Sequence, residues 1–119
     1  MLPDRWTEDL PWIGQYVLDE NGDAVPAKSL LEWAEWMENH TADRIVLRDK
    51  VGDVLISTVF LALDMGMNHL PFNCAGLRYA PVLWETMIFG GVHNGYQVRY
   101  TSKDAALEGH IQAVRMVKA

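Results

Sequence analysis

The chain has 119 residues, half of them hydrophobic, and a net charge of −6. That length suits one domain with one core, since domains commonly run to about 100–150 residues, and the acidic balance argues against a nucleic-acid partner, whose phosphate backbone calls for clustered Lys and Arg. The longest apolar run, 54–63, is broken by Ser57 and Thr58 and falls well short of the ~20 residues of a membrane-spanning helix.

Charge is uneven along the chain. Residues 1–60 hold twelve acids against five bases, and residues 61–119 hold four against five. The acidic half can face a basic partner surface or simply keep the protein soluble. A single cysteine, Cys74, makes no internal disulfide, so the expected compartment is the reducing cytoplasm.

Residues 1–14 contain Pro3, Pro11, Trp6 and Trp12 without a clear period and read as an irregular arm with its tryptophans tucked onto the body. With Asp4, Arg5, Glu8 and Asp9 among them, they do not read as a signal peptide. A short strand is expected over 15–20, ending in the turn signal Glu20-Asn21-Gly22-Asp23. Ser29 followed by Glu32 is a capping box that opens a helix over 30–40. Leu30, Trp33, Ala34 and Met37 share its apolar stripe, with Glu35 and Glu38 toward solvent. Trp36 lies off the stripe, either covered by the arm or offered to a partner.

Two segments dominate the rest. Residues 54–64, V-L-I-S-T-V-F-L-A-L-D, and 81–91, P-V-L-W-E-T-M-I-F-G-G, are rich in β-branched and aromatic residues and read as the two central strands of one sheet. Residues 44–48 form a hairpin partner for the first of them. Both faces of 54–64 are largely apolar, so cover is expected on both sides. Glu85, in the middle of the second strand, needs a partner if it is buried and charged. Between them, 65–80 is an apolar, Gly- and Pro-broken loop that should fold over the sheet or meet a partner through residues such as Met67 and Phe72. Asn94-Gly95 marks a hairpin into a strand over 96–101. Thr101 or Ser102 then caps a last helix with a core stripe of Leu107, Ile111 and Val114, in which Gly109 implies a close approach to the sheet. The expected architecture is a single α+β domain over 1–119: an antiparallel sheet of four to five strands with two helices packed mainly on one face.

The runs S-T-V-F-L-A-L-D at 57–64, P-V-L-W-E-T-M-I-F-G-G at 81–91 and R-Y-T-S-K-D-A-A-L-E-G-H at 99–110 resemble a family of small proteins encoded by tailed bacteriophages and prophages. The likeness covers roughly the C-terminal half. Family members often read F-L-G-L-D-H and P-V-L-F-E-T-M, and here Ala62, Met65 and Trp84 stand in place of the Gly, the His and the Phe. The resemblance implies a phage or prophage accessory protein acting in the bacterial cytoplasm on host machinery, including defence components.

No catalytic signature emerges. His69, Cys74, His93 and His110 supply nitrogen and sulfur ligands, yet no two have the short spacing that marks zinc sites, and no cofactor is implied. Asp64, Glu85, Arg99, Tyr100 and His110 come from segments expected to neighbour one another, and could line a pocket for a small polar molecule such as a nucleotide. The same residues also fit a structural Glu85–Arg99 pair with His110 bonded locally. The favoured expectation is a non-enzymatic protein that binds and modulates a host protein through Trp36, Met67 and Phe72. Its alternatives are a sponge for a small signalling molecule and a metal- or thiol-dependent hydrolase. A homodimer is also expected, since two-sided apolar strands leave more greasy surface than two helices cover.

Overall fold

A computed structural model describes residues 14–66 and 80–119. The arm tryptophans Trp6 and Trp12, and His69, Cys74, Met67 and Phe72 of the long loop, lie outside the described residues. The fold is α+β, and the described residues divide into two compact units: 14–41, 62–66 and 80–81 in the first, 42–61 and 82–119 in the second. No helix among the described residues is long and apolar enough to cross a membrane.

In the first unit, strands β1 (Tyr16–Leu18) and β2 (Ala24–Pro26) form a small antiparallel hairpin. Its turn is closed by Asp19, whose Oδ1 accepts from the backbone N–H of Asn21 and Asp23, each at 2.9 Å. The second strand of this hairpin was not expected; three residues containing a proline are too short to show a period. Helix α1 (Leu30–Asn39) starts as its capping signal dictates, with Ser29 Oγ accepting from Glu32 N at 3.0 Å. It buries no residue fully. Its tie to the unit is polar: Trp33 Nε1 donates to the Ala62 carbonyl at 2.8 Å. The same carbonyl accepts from Tyr16 N at 2.8 Å, and Ala62 is held at φ 63°, a left-handed conformation unusual for a residue with a Cβ.

The second unit is one four-stranded antiparallel sheet with a helix on it. Strands β3 (Ile45–Val51), β4 (Val54–Phe60), β5 (Trp84–Phe89) and β6 (Gln97–Tyr100) follow one another in spatial order β3-β4-β5-β6. The two most hydrophobic segments are therefore the neighbouring central strands, as their composition requires. β3 is longer than expected because the chain reverses in the two residues Gly52 and Asp53, with Val51 paired to Val54. Gly90 and Gly91 end β5 with φ of 95° and 69°.

Helix α2 (Lys103–Lys118) is capped by Ser102, whose Oγ accepts from Ala105 N at 3.1 Å. It lies on the sheet face formed by Ile56, Thr58, Phe60, Trp84, Thr86, Ile88 and Tyr100. Its buried stripe is Ala106, His110 and Ala113. The expected stripe of Leu107, Ile111 and Val114 is displaced by one residue, and Ile111 is 50 % exposed. The reason is steric. Small residues let the helix settle close to the strands, so close that a Cβ on Gly109 would run into the Tyr100 ring and hydroxyl. Ile56, Ile88 and Ala113 form the packed centre, ringed by Val51, Val54, Tyr96, Val114, Met116 and Val117.

Candidate functional site

Strand alternation sends neighbouring residues to opposite faces, and this separates the residues expected to converge. Glu85 pairs in register with Arg99, and Trp84 with Tyr100. Glu85 and Arg99 therefore share the face turned away from α2, while Tyr100 joins His110 beneath the helix. Asp64 belongs to the first unit, where it is 1 % exposed and its Oδ1 accepts from Gly66 N at 2.7 Å. Within the second unit the expected pocket residues are thus divided between the two faces of the sheet, Glu85 and Arg99 on one and Tyr100 and His110 on the other. Trp36 is half-buried and stacks on His40, with ring centroids 5.0 Å apart and planes within 7°.

Beneath α2 a polar chain crosses the sheet. His110 is 1 % exposed. Its Nε2 lies 2.7 Å from Asp49 Oδ2 on β3, and its Nδ1 lies 2.7 Å from Thr58 Oγ1 on β4. Thr58 Oγ1 is in turn hydrogen-bonded to Thr86 Oγ1 on β5. An ionised carboxylate only accepts, so Nε2 carries a proton and donates to Asp49. With the ring neutral, Nδ1 accepts from the Thr58 hydroxyl, and Thr58 accepts from Thr86. On β6 the Tyr100 hydroxyl is buried and, among the described residues, has no partner in hydrogen-bond geometry. Burial raises its pKa above the ordinary 10.0, the nearby Thr86 hydroxyl works in the opposite direction, and Tyr96 adds to the rise.

Carboxylate, imidazole and hydroxyl in that order are the connections of a nucleophile triad. Accessibility decides otherwise. Thr58 is 0 % exposed, so no substrate carbonyl can reach its oxygen, and the one open member is the Asp49 carboxylate, 55 % exposed. The chain acts as a tie that fastens the middle of α2 to three strands while satisfying its own donors and acceptors. Both ring nitrogens of His110 are thereby engaged. Asp49, Thr58 and Thr86 were missed in the sequence, since each is an ordinary strand residue until the helix is laid over them.

On the opposite face Glu85, 8 % exposed, accepts through Oε2 from Arg99 Nε at 2.9 Å and from Gln97 Nε2. The buried carboxylate is thus neutralised from within the molecule. Gln97 was missed as well, though its signal was present: it stands two residues before Arg99 on the same face. Register arranges this face in three rows across the strands. They run Ile45, Val59, Glu85, Arg99; then Arg48, Ser57, Met87, Gln97; then Lys50, Leu55, Phe89. Arg48, Lys50, Gln97 and Arg99 are exposed, and Phe89 is 45 % exposed. A shallow cleft of about 170 Å³ lined by Val54, Gly90, Gly91, Val92, His93 and Val117 is smaller than the ~300 Å³ at which small-molecule pockets begin. The chain matches no protein-family model, no curated protein and no solved structure, so its function rests on this geometry.

Proposed function

We propose that this chain is a non-enzymatic binding protein whose contact surface is the face of the four-stranded sheet turned away from α2. One observation carries the reading: a chain of net charge −6 gathers Arg48, Lys50 and Arg99 on a single sheet face, around half-buried Leu55, Val59 and Met87 and the exposed ring of Phe89. Apolar centre and charged rim are the composition of a protein-protein contact. The triad-like chain under α2 has no open nucleophile, which favours binding over catalysis. The resemblance to phage and prophage proteins makes a bacterial host protein the proposed partner, met in the cytoplasm.

The test is affinity purification from bacterial lysate with wild type, the outer-face variant Arg48→Glu/Phe89→Asp, and the control Asp49→Asn. One host protein held in stoichiometric amount by wild type and control, and lost from the outer-face variant, is the expected result. Equal retention by the outer-face variant, or no specific partner at all, overturns the reading.

A further inference from the structure

We infer that the outer sheet face is shaped for one kind of partner: an amphipathic helix with acidic residues on both flanks of its apolar stripe. This rests on the reading of that face as the contact surface and adds the chemistry of what it receives. The face is as wide as one helix and its flanking charges. Four strands at about 4.8 Å spacing span roughly 14 Å, and a helix with its side chains measures about 10–12 Å across. One helix laid along the strands covers the central positions Leu55, Val59, Met87 and Phe89 of β4 and β5 and reaches both edges.

The charge of the face calls for an acidic counterpart. The edges are where the cations stand: Arg48 and Lys50 on β3, Arg99 on β6. Among the described residues, Arg48 and Lys50 make no side-chain hydrogen bond or ion pair. Arg99 is held by its Nε on Glu85, and among the described residues its two terminal amino groups make no hydrogen bond or ion pair. Its side chain is 40 % exposed. Such a fork suits a carboxylate, which it can meet with two parallel bonds. Among the described strand residues of this face Glu85 is the one carboxylate and is already bound, so three cations stand against one acid there.

The competing polyanion fits the face poorly. A nucleic acid would need more than three cations and would bring its phosphates toward a chain with sixteen carboxylates. It would also leave the Phe89–Met87–Leu55 strip without an apolar counterpart. An acidic amphipathic helix satisfies strip and edges together, the apolar contact supplying most of the affinity and the rim charges choosing the partner.

The experiment uses the full chain and three probes: a synthetic helical peptide with glutamates flanking a leucine stripe, the same peptide with lysines in their place, and oligothymidine. Binding is followed by fluorescence anisotropy, and the oligomeric state by light scattering. The acidic peptide should bind saturably and more weakly as salt rises, and at least about tenfold more weakly to Arg48→Glu/Lys50→Glu. The lysine peptide should bind the charge-reversed variant better than the wild type. No saturable binding of the acidic peptide, equal binding of both peptides, or tighter binding of oligothymidine overturns the inference. So does a dimer abolished by the charge reversal, which would assign the face to a second copy. If a host protein is still captured through this face while the acidic peptide does not bind, the contact-surface reading survives and this inference alone falls.

Discussion

His110 Nε2 lies 2.7 Å from Asp49 Oδ2, which joins the middle of the last helix to the outermost strand of the sheet. The two residues stand 61 positions apart in the chain. They differ sharply in exposure, the histidine side chain at 2 % and the aspartate at 55 %. The imidazole is therefore the costly member to lose. His110→Ala leaves Thr58 short of a partner and opens a cavity under α2, and should destabilise by about 2–4 kcal/mol. Asp49→Asn keeps a polar contact at a half-open position and should stay within about 1 kcal/mol of wild type. Urea denaturation of the two variants checks the asymmetry; equal losses would mean that the chain does not fasten the helix.

Glu85 and Arg99 give the opposite pattern of exposure, with the acid buried and the base 40 % open. Arg99→Ala leaves the carboxylate with Gln97 as its remaining partner and should cost about 1–2 kcal/mol, less than a fully buried pair because water reaches the guanidinium. Glu85→Gln in the same background should recover part of that loss. A double-mutant cycle measures the coupling, and additivity within error would show that the pair is not an energetic unit.

Gly109 faces the Tyr100 ring so closely that any Cβ must displace it. On an exposed helix Gly→Ala would stabilise by about 1 kcal/mol. Here Gly109→Ala should lower the melting temperature instead, because the obstacle is a ring packed between helix and sheet. A raised melting temperature would show that the helix rides higher above β6 than described.

Tyr100 carries the pH prediction. Burial, its largest influence, raises the phenol pKa above 10.0. A group that holds its proton more tightly when folded contributes fully below its unfolded pKa and loses that contribution as pH rises toward the folded value. Stability should therefore fall on the alkaline side of about pH 10. Absorbance titration should show a late-ionising tyrosine among the four. If the late step persists in Tyr100→Phe, another tyrosine is responsible.

Ala62 holds a φ of 63° while its carbonyl accepts from both Tyr16 N and Trp33 Nε1. The left-handed region costs a residue with a Cβ roughly 1–2 kcal/mol, and glycine gives back about 0.5–1 of that in chain entropy. Ala62→Gly should thus be neutral or stabilising by up to about 1 kcal/mol, whereas Ala62→Val, β-branched and 0 % exposed at this site, should destabilise strongly. Calorimetry on both variants decides, and a destabilised Ala62→Gly would remove backbone strain from the account.

Local chemistry alone determined much of this protein. Ser29 and Ser102 start the helices because a hydroxyl can satisfy a free N–H three residues on. The β-branched, aromatic runs around Phe60 and Trp84 made the central strands because so apolar a pair has nowhere else to go. Glu85 announced its need for Arg99, since a carboxylate in such a strand must be neutralised nearby. Tertiary structure decided the rest. Whether Leu107 or Ala106 faces the sheet depends on how closely a helix can settle, which is a matter of volume rather than hydrophobicity. Arg99 and Tyr100 are neighbours in the chain but serve opposite faces, because the pleat turns one step along the strand into a change of side. Asp49, Thr58, Thr86 and His110 become one chain of hydrogen bonds when three strands and a helix are stacked. Direction and distance across a sheet are properties of packing, and no local pattern encodes them.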